Sequence, residues 1–326
     1  MDRRTMNRLL ASAALAPLGA AAQAAYPSRP IRIVVPYPAG GASDFIARAV
    51  GERLSKRLGQ PVVVDNRTGA AGAVGVGEVV RAAPDGYTLA VTIGDSLINN
   101  VALFKNLPYD PRRDLALLTQ AVFSPALISA SMELPVKDLA DLRRHVARHK
   151  GTLSYGSWGI GSLGHIAGEA LSQRLGAGMV HVPQRGESLV LQDLLAGTVS
   201  LGLTSAGLAR PHVEAGKITP LAVLGRERSK VLPDVPTLRE QGLDDPIFDA
   251  AVWICFAAPA RTPPAVQALL VKEVRAALQT PAMAAAAGER GLEVMATTPE
   301  QFQANYRSEF DVITRKIRDI GIEPQG

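Results

Sequence analysis

The sequence has few of the residues on which several common functions depend. Its 326 residues include one cysteine, Cys255, so no internal disulfide can form. This cysteine lies in an apolar run, which favours a buried thiol. Seven Phe and two Trp offer few rings for stacking nucleobases. The formal net charge is +5, of which Asp2, Arg3, Arg4 and Arg8 together contribute +2. Nucleic-acid binding is therefore not expected, because the other basic residues are scattered along the chain.

Several catalytic and metal-binding patterns are also missing. Ser157 and Ser162 each have a glycine two residues after them but Tyr155 and Ile160, respectively, two residues before, so neither forms the Gly-x-Ser-x-Gly nucleophile elbow. No Gly-Lys-Ser or Gly-Lys-Thr is present to form a phosphate-binding loop. His145 and His149 lie four residues apart without the glutamate of a zinc protease. We therefore expect no metal, no cofactor and no enzymatic activity.

Residues 1–25 have the pattern of a signal peptide. Arg3, Arg4 and Arg8 form a basic start, Leu9–Leu18 is apolar, and Ala22-Gln23-Ala24 provides a cleavage pattern. No later apolar run reaches the roughly 20 residues that a membrane-spanning helix needs. The mature chain is thus expected in the periplasm. The general secretory route is favoured, with twin-arginine export as the alternative because of the Arg3-Arg4 pair.

Short β-branched runs alternate with longer amphipathic stretches, which is typical of βαβ units. Ser43–Leu58 is predicted to be a helix because Ile46, Val50 and Leu54 recur at four-residue intervals. Gly59 is expected to end it. The fold class is therefore predicted to be α/β, with mixed, mostly parallel sheets flanked by helices.

The chain is long enough for two domains, with a hydrophobic content of 47%. No low-complexity linker separates its halves, so it is predicted to cross between two lobes through ordered strands. We place these crossings near residues 122–129 and 249–257. The first lobe then comprises residues 26–125 and 251–326, and the second comprises residues 126–250.

Three glycine-rich segments, residues 36–44, 66–72 and 154–165, each follow a predicted strand and precede a predicted helix. Ligands of open α/β sheets bind at this edge, and a helix N-terminus there attracts anions. Ser43 and Asp44 are equally compatible with ordinary helix caps. His165 is compatible with simple packing. The segments together favour a cleft that binds a small carboxylate.

The chain also resembles a known family, the receptors of tripartite tricarboxylate transporters, called Bug-type receptors. The resemblance runs from Tyr26 to the C-terminus and depends on the order and spacing of seven short motifs. These motifs are residues 26–31, 36–41 with Asp44 and Ala47-Arg48, 66–72, 83–89, 107–111, 161–169 and 235–237.

This resemblance implies a two-lobed, Venus-flytrap fold of periplasmic-binding-protein type II. Such a receptor holds a carboxylate between its lobes and delivers it to membrane permease subunits. The candidate ligand-binding residues of the first lobe are Tyr37, Gly40, Gly41, Ala42, Asp44, Gly69 and Ser96. Those of the second lobe are Ser157, Trp158, Gly161, Ser162, His165, Arg185 and Ser205.

Three features depart from the family pattern or fit it poorly. Gln184-Arg185-Gly186 stands where these receptors commonly have Tyr-Lys-Gly, and Trp158 lies inside the third glycine-rich segment. Asp95 adds a negative charge that is unfavourable beside a carboxylate unless it faces away or the ligand carries an amine. The identity of the ligand is therefore left open.

The sequence predicts a monomeric receptor for an organic acid or amino acid. Two alternatives remain at this stage. One is a sensor that passes the state of its ligand to a membrane kinase. The other is an exported hydrolase or isomerase that uses Ser162 and His165, which lie three residues apart.

Overall fold

Two mixed β-sheets, each flanked by helices, form the framework of the protein. The computed structural model describes residues 26–324, so the predicted signal peptide, residues 1–25, lies outside the described residues. Within that range, no helix is both long and apolar enough to cross a membrane.

Eleven strands and twelve α-helices make up the described chain. The strands are β1 (Ile31–Val35), β2 (Val62–Asn66), β3 (Thr88–Ile93), β4 (Leu115–Ser124), β5 (Ala126–Ser131), β6 (Ser154–Ser157), β7 (Val180–Pro183), β8 (Leu201–Ser205), β9 (Ile218–Val223), β10 (Val252–Pro259) and β11 (Glu293–Val294). The helices are α1 (Ala42–Leu58), α2 (Ala73–Arg81), α3 (Gly94–Leu97), α4 (Asn99–Leu103), α5 (Pro111–Asp114), α6 (Leu139–Arg148), α7 (Leu163–Leu175), α8 (Glu187–Leu195), α9 (Ala206–Glu214), α10 (Pro264–Leu278), α11 (Pro281–Gly288) and α12 (Pro299–Asp319).

The first sheet has the strand order β11-β4-β10-β3-β1-β2, and the second has the order β7-β6-β8-β5-β9. In the first sheet β1 pairs in parallel with β2 and with β3. In the second sheet β6 pairs in parallel with β7 and with β8. The carboxyl ends of each parallel set therefore lie at one edge of their sheet, where the loops that follow them come together.

Antiparallel pairs are more numerous than the sequence suggests. Four strand pairs are parallel and five are antiparallel. All five antiparallel pairs involve β10, β4 or β5, the strands next to the crossings between the two sheets. The sheets are thus mixed, as predicted.

The chain passes from one sheet to the other at Pro125. This residue lies within the crossing predicted near residues 122–129, but the chain crosses between two strands and not through one, because β4 and β5 belong to different sheets and are separated by Pro125 alone. Proline has no backbone N–H to contribute to a sheet and is therefore suited to the end of a strand. The chain returns through residues 224–251, where Gly225 N–H donates to the carbonyl of Phe248 at 2.7 Å.

The segment of α3 and α4, which the sequence did not predict as helical, is fixed by contacts from distant parts of the chain. Tyr109 donates its hydroxyl to the carbonyl of Ser96 at 2.7 Å. Tyr306 donates to the carbonyl of Leu97 at 2.8 Å. The ring of Trp253 lies so close to Gly94 that a Cβ there would be 3.1 Å from it. The short α3 helix is thus held rigidly at the end of β3.

Candidate functional site

Helix α1 begins without a side-chain cap. Its N-cap is Gly41, so neither Ser43 nor Asp44 is the cap residue. Among the described residues, no acceptor is found for the N–H groups of Ala42 and Ser43. Gly41 and Ala42 are exposed. The helix therefore presents unused donors and the positive end of its dipole to the surroundings, an arrangement that suits an anion.

The carboxylate of Asp44 fixes this loop from within. It accepts hydrogen bonds from Gly40 N–H at 3.0 Å, from Arg48 Nε at 2.9 Å and from Asn66 Nδ2 at 3.1 Å. The Arg48 guanidinium, helped by the other two donors, holds the pKa of Asp44 below its usual value although burial opposes the shift. Since Gly40 N–H is already bonded, Gly40 offers no backbone donor to a ligand.

The second glycine-rich segment lies against the first. Asn66 Nδ2 donates to the carbonyl of Tyr37 at 3.0 Å, and a Cβ at Gly72 would lie 2.9 Å from the Tyr37 hydroxyl. Gly69 has φ 137°, and the next two residues, Ala70 and Ala71, also have positive φ. Consecutive alanines in this region are strained, and such strain is common at binding sites.

Tyr37 has the one buried hydroxyl in this loop that lacks a hydrogen bond to any described residue. Burial raises its pKa, and the charge of Asp95 adds to the shift. Ser96, in contrast, is fully engaged, because its hydroxyl lies 2.6 Å from that of Thr92 and donates to the carbonyl of Ile93. Of the two, Tyr37 has the capacity to bond a ligand.

The third glycine-rich segment forms a closed network around two stacked imidazoles. The rings of His165 and His181 are 3.8 Å apart. Ser157 Oγ lies 2.7 Å from His181 Nε2, while Ser162 Oγ donates to the carbonyl of Gly159 at 2.7 Å. Burial lowers the pKa of each histidine to about 4. Both rings are therefore neutral at physiological pH.

This network removes the support for Ser162 and His165 as a catalytic pair. Ser162 caps α7 by accepting from the backbone N–H of His165 at 3.2 Å. The imidazole Nδ1 of His165 instead accepts from Gly161 N–H at 2.9 Å. Since Ser162 directs its proton to a carbonyl, its side chain is not aligned with a base.

The third segment also packs directly against α3 and α4. Trp158 Nε1 donates to Asp95 Oδ2 at 3.2 Å, and Asn99 Nδ2 donates to the carbonyl of Gly161 at 2.8 Å. A Cβ at Gly161 would lie 2.0 Å from Leu103 Cδ1. We call this contact between residues 94–103 and 158–163 the seam. Within it, both the N–H and the carbonyl of Gly161 already have partners.

The last two candidates follow β7 and β8. Arg185 is exposed and has no hydrogen-bond or ion-pair partner among residues 26–324. Ser205 is engaged, because its N–H donates to Glu187 Oε2 at 2.7 Å and its hydroxyl caps α9. Arg185 therefore provides an available cation at the edge where β6, β7 and β8 end.

A second contact joins elements of the two sheets. Gly207, in the first turn of α9, approaches the turn between α11 and β11, so that a Cβ on it would lie 2.3 Å from the carbonyl oxygen of Arg290. The Arg290 guanidinium in turn lies 3.9 Å from the ring centroid of Phe45 on α1. Only a residue without a side chain allows the two backbones to come this close.

Two surface depressions lie away from these segments. One of about 450 Å³ is bordered by Arg226, Lys230, Asp249 and Glu309, and another of about 460 Å³ by Arg112, Tyr306 and Phe310. Neither contains a candidate ligand-binding residue. Within the described part of the chain, no group of three or more His, Cys, Asp or Glu side chains is arranged to hold a metal ion.

Sequence reasoning missed some participants and misjudged others. The sequence indicates only that Asp95 is an unfavourable charge beside a carboxylate, whereas the structure places it at the centre of the seam. His181 and Asn99 were not singled out at all. His181 ends up stacked on His165 because β6 and β7 are neighbours, a relation that strand pairing reveals and linear spacing does not.

In each of the two mixed sheets, glycine-rich loops at the carboxyl ends of the strands lead into helices. This arrangement is that of a two-lobed α/β binding protein. The family model described as "Tripartite tricarboxylate transporter family receptor" matches residues 46–322, and the chain belongs to this family.

Individual relatives agree with this assignment. Protein BugT of Bordetella pertussis is 32% identical over 297 residues, which cover 91% of this chain and 90% of BugT. The solved periplasmic binding protein BugD has a TM-score of 0.79 and 31% identity, with coverage of 92% of this chain and 100% of BugD. An R. palustris protein solved with adipate has a TM-score of 0.82 and 31% identity, with the same two coverages.

Proposed function

We propose that the protein is a periplasmic receptor that binds a small carboxylate between its two lobes and delivers it to the membrane subunits of a tripartite transporter. The observation that carries this proposal is the uncapped N-terminus of α1, with its unused N–H groups at the carboxyl edge of β1. Membership of the receptor family and the adipate in the R. palustris relative support it. The receptor acts as a monomer, with residues 1–25 as its signal peptide.

The two lobes correspond to residues 26–125 with 251–326 and to residues 126–250. In support, the strands of the first sheet lie within residues 31–124 and 252–294, and those of the second sheet lie within residues 126–223. The chain has ordered crossings at Pro125 and at residues 224–251. Motion about these crossings would open and close the cleft between the carboxyl edges of the two sheets.

The candidate residues divide into two roles in this proposal. Gly41 and Ala42 would bond the ligand carboxylate through the α1 N-terminus, with the Tyr37 hydroxyl and Arg185 as further donors. The other candidates would shape the cleft: most have polar groups that already have partners, Gly69 precedes the strained pair Ala70 and Ala71, and His165 is held through Nδ1, which accepts from Gly161 N–H. These are Gly40, Asp44, Gly69, Ser96, Ser157, Trp158, Gly161, Ser162, His165 and Ser205.

Replacing Gly41 with valine tests the α1 site. Gly41 has φ −75° and ψ 172°, and a Cβ there would meet one backbone atom at 3.6 Å, so the fold accommodates a side chain. The added isopropyl group would block an anion from reaching the Ala42 N–H. We expect carboxylate binding to fall at least tenfold without a change in the unliganded melting temperature.

The assay is a thermal-shift screen of mono- and dicarboxylates and amino acids, followed by calorimetry of those that bind. A ligand at a hundredfold excess over Kd stabilises the wild type by about 2.7 kcal/mol. Ala284→Val, on the exposed face of α11, is the matched control for an added valine. If no carboxylate stabilises the wild type, the proposed function is wrong. If Gly41→Val binds normally, the site has been misplaced.

A further inference from the structure

Asp95, in helix α3 of the first lobe, contacts the glycine-rich segment that leads into α7 of the second lobe. Its carboxylate accepts from Trp158 Nε1 and Asn99 Nδ2, each at 3.2 Å. The backbone N–H of Leu163, the first residue of α7, also favours the ionised carboxylate and lowers its pKa. Ser162 caps α7, the counterpart of the α1 site, and Asp95, which follows β3 of the first sheet, adds a negative charge beside the same N-terminus.

This anion has no cationic partner. None of the ion pairs among residues 26–324 includes Asp95. Burial raises its pKa to about 6, while the three N–H donors oppose that shift. At pH 8 the group is therefore ionised, and its negative charge is balanced by dipoles alone.

The surroundings leave little room for a second anion beside it. Asn99 and Leu103 pack against Gly161 across the seam, and Gly161 is buried. The Tyr37 hydroxyl is buried, has no hydrogen-bond partner among the described residues, and lies with Ser96, the neighbour of Asp95 in the chain, against Gly72. The charge of Asp95 adds to the raised pKa of Tyr37. A buried hydroxyl without a partner in the field of a charged carboxylate points to a ligand atom that both can contact, such as an amide or ammonium N–H.

We propose that Asp95 determines ligand class by placing its charge beside the N-terminus of α7, so that the receptor binds one carboxylate at α1 and selects a neutral or cationic hydrogen-bond donor, not a second carboxylate, at the opposite end. This inference rests on the proposed function and specifies the substrate class of the same site. A carboxylate about 4 Å from Asp95 would be disfavoured by on the order of 1000-fold at an effective dielectric constant of about 20.

The test compares ligands matched in length. Calorimetry at pH 8 measures α,ω-dicarboxylates of four to eight carbons and the corresponding monoamides with the wild type, Asp95→Asn and Asp234→Asn. Asparagine keeps an oxygen acceptor and removes the charge. Asp234 is exposed and lies outside the candidate site, so its variant controls for the change in net charge.

We expect the wild type and Asp234→Asn to bind the best monoamide at least tenfold more tightly than the dicarboxylate of the same length. Asp95→Asn should bring the two affinities within about threefold of each other or reverse their order. A purely structural role for Asp95 would weaken both ligands equally and leave the ratio unchanged.

Two other results are decisive. If the wild type prefers dicarboxylates, the far carboxylate is held by another group such as Arg185, and this inference is overturned while the proposed function stands. If no carboxylate of any kind binds, the proposed function fails and the inference fails with it. Should Asp95→Asn not fold, the preference of the wild type still decides between these outcomes.

Discussion

The contact between Gly207 and the turn at Arg290 allows a precise test of lobe closure. In Gly207→Ala, the new Cβ would lie 2.3 Å from the Arg290 carbonyl oxygen and 2.8 Å from Gly291 Cα. Ordinary contact begins near 3.5 Å, so α9 and this turn must separate by roughly 1 Å. Both atoms belong to the backbone, so no side-chain rotation relieves the clash.

The substitution should destabilise the closed, ligand-bound form and leave the stability of the open form unchanged. Overpacking of this kind costs about 1–3 kcal/mol, and if ligand binding requires the contact, Kd should rise by about 5- to 150-fold. Helix α9 itself tolerates alanine, because alanine has a higher helix propensity than glycine by about 1 kcal/mol. The unliganded protein should therefore keep its melting temperature, because separation of the lobes relieves the clash.

The measurement is calorimetric Kd with any carboxylate that binds the wild type. Gly288→Ala is the matched control, because Gly288 ends the neighbouring helix α11 and a Cβ there would meet nothing within 4 Å. An unchanged Kd for Gly207→Ala would refute the reasoning. A lower melting temperature with unchanged Kd would show that the contact is a permanent part of the fold.

Further predictions concern stability. Asp245 is buried and bonded to Lys316 at 2.7 Å and to Arg174 at 3.1 Å. In urea denaturation, Asp245→Asn should therefore lower the free energy of unfolding by about 3 kcal/mol. Asp244→Asn, at the exposed neighbouring residue, should lower it hardly at all. Burial raises the pKa of Asp245, but these cations lower it on balance; its stabilising contribution should therefore be present above the unfolded pKa and be lost as pH falls through the folded value. Burial raises the pKa of Glu309 to about 7, so at this group the folded state binds a proton more tightly than the unfolded state. The contribution of Glu309 to the free energy of unfolding should therefore fall as pH rises from about 4.5 to 7. Glu309→Gln should therefore gain stability relative to the wild type between pH 5 and pH 8, and a pH-independent difference would contradict this assignment.

Elements that depend on local sequence were predictable. Helix α1 has regular apolar spacing, and Gly59 ends it with φ 68° in the left-handed region, as the sequence predicts. The three glycine-rich segments follow β1, β2 and β6. Each of these features is determined by neighbouring residues, so one sequence was sufficient to find it.

Elements that depend on distant partners were not predictable. The first part of β4 is not predicted because it contains Thr119 and Gln120, buried polar residues whose side chains bond distant parts of the chain, Thr119 to the carbonyl of Thr297 and Gln120 to Asn305. Helices α3 and α4 are too short to show a periodic pattern and are held by Tyr109 and Tyr306. The role of Asp95 depends on a helix that begins 68 residues later in the sequence.

The C-terminal helix α12 has a mechanical consequence for the receptor. Near its start, Asn305 bonds Gln120 of β4 at 2.8 Å, and near its end Lys316 bonds Asp245, which also holds Arg174 of α7. A helix of 21 residues is a rod of about 31 Å. Because this helix is bonded to elements of both sheets, we expect it to limit how far the two lobes can separate, since wide opening would have to break the contacts of Asp245 with Lys316 or Arg174.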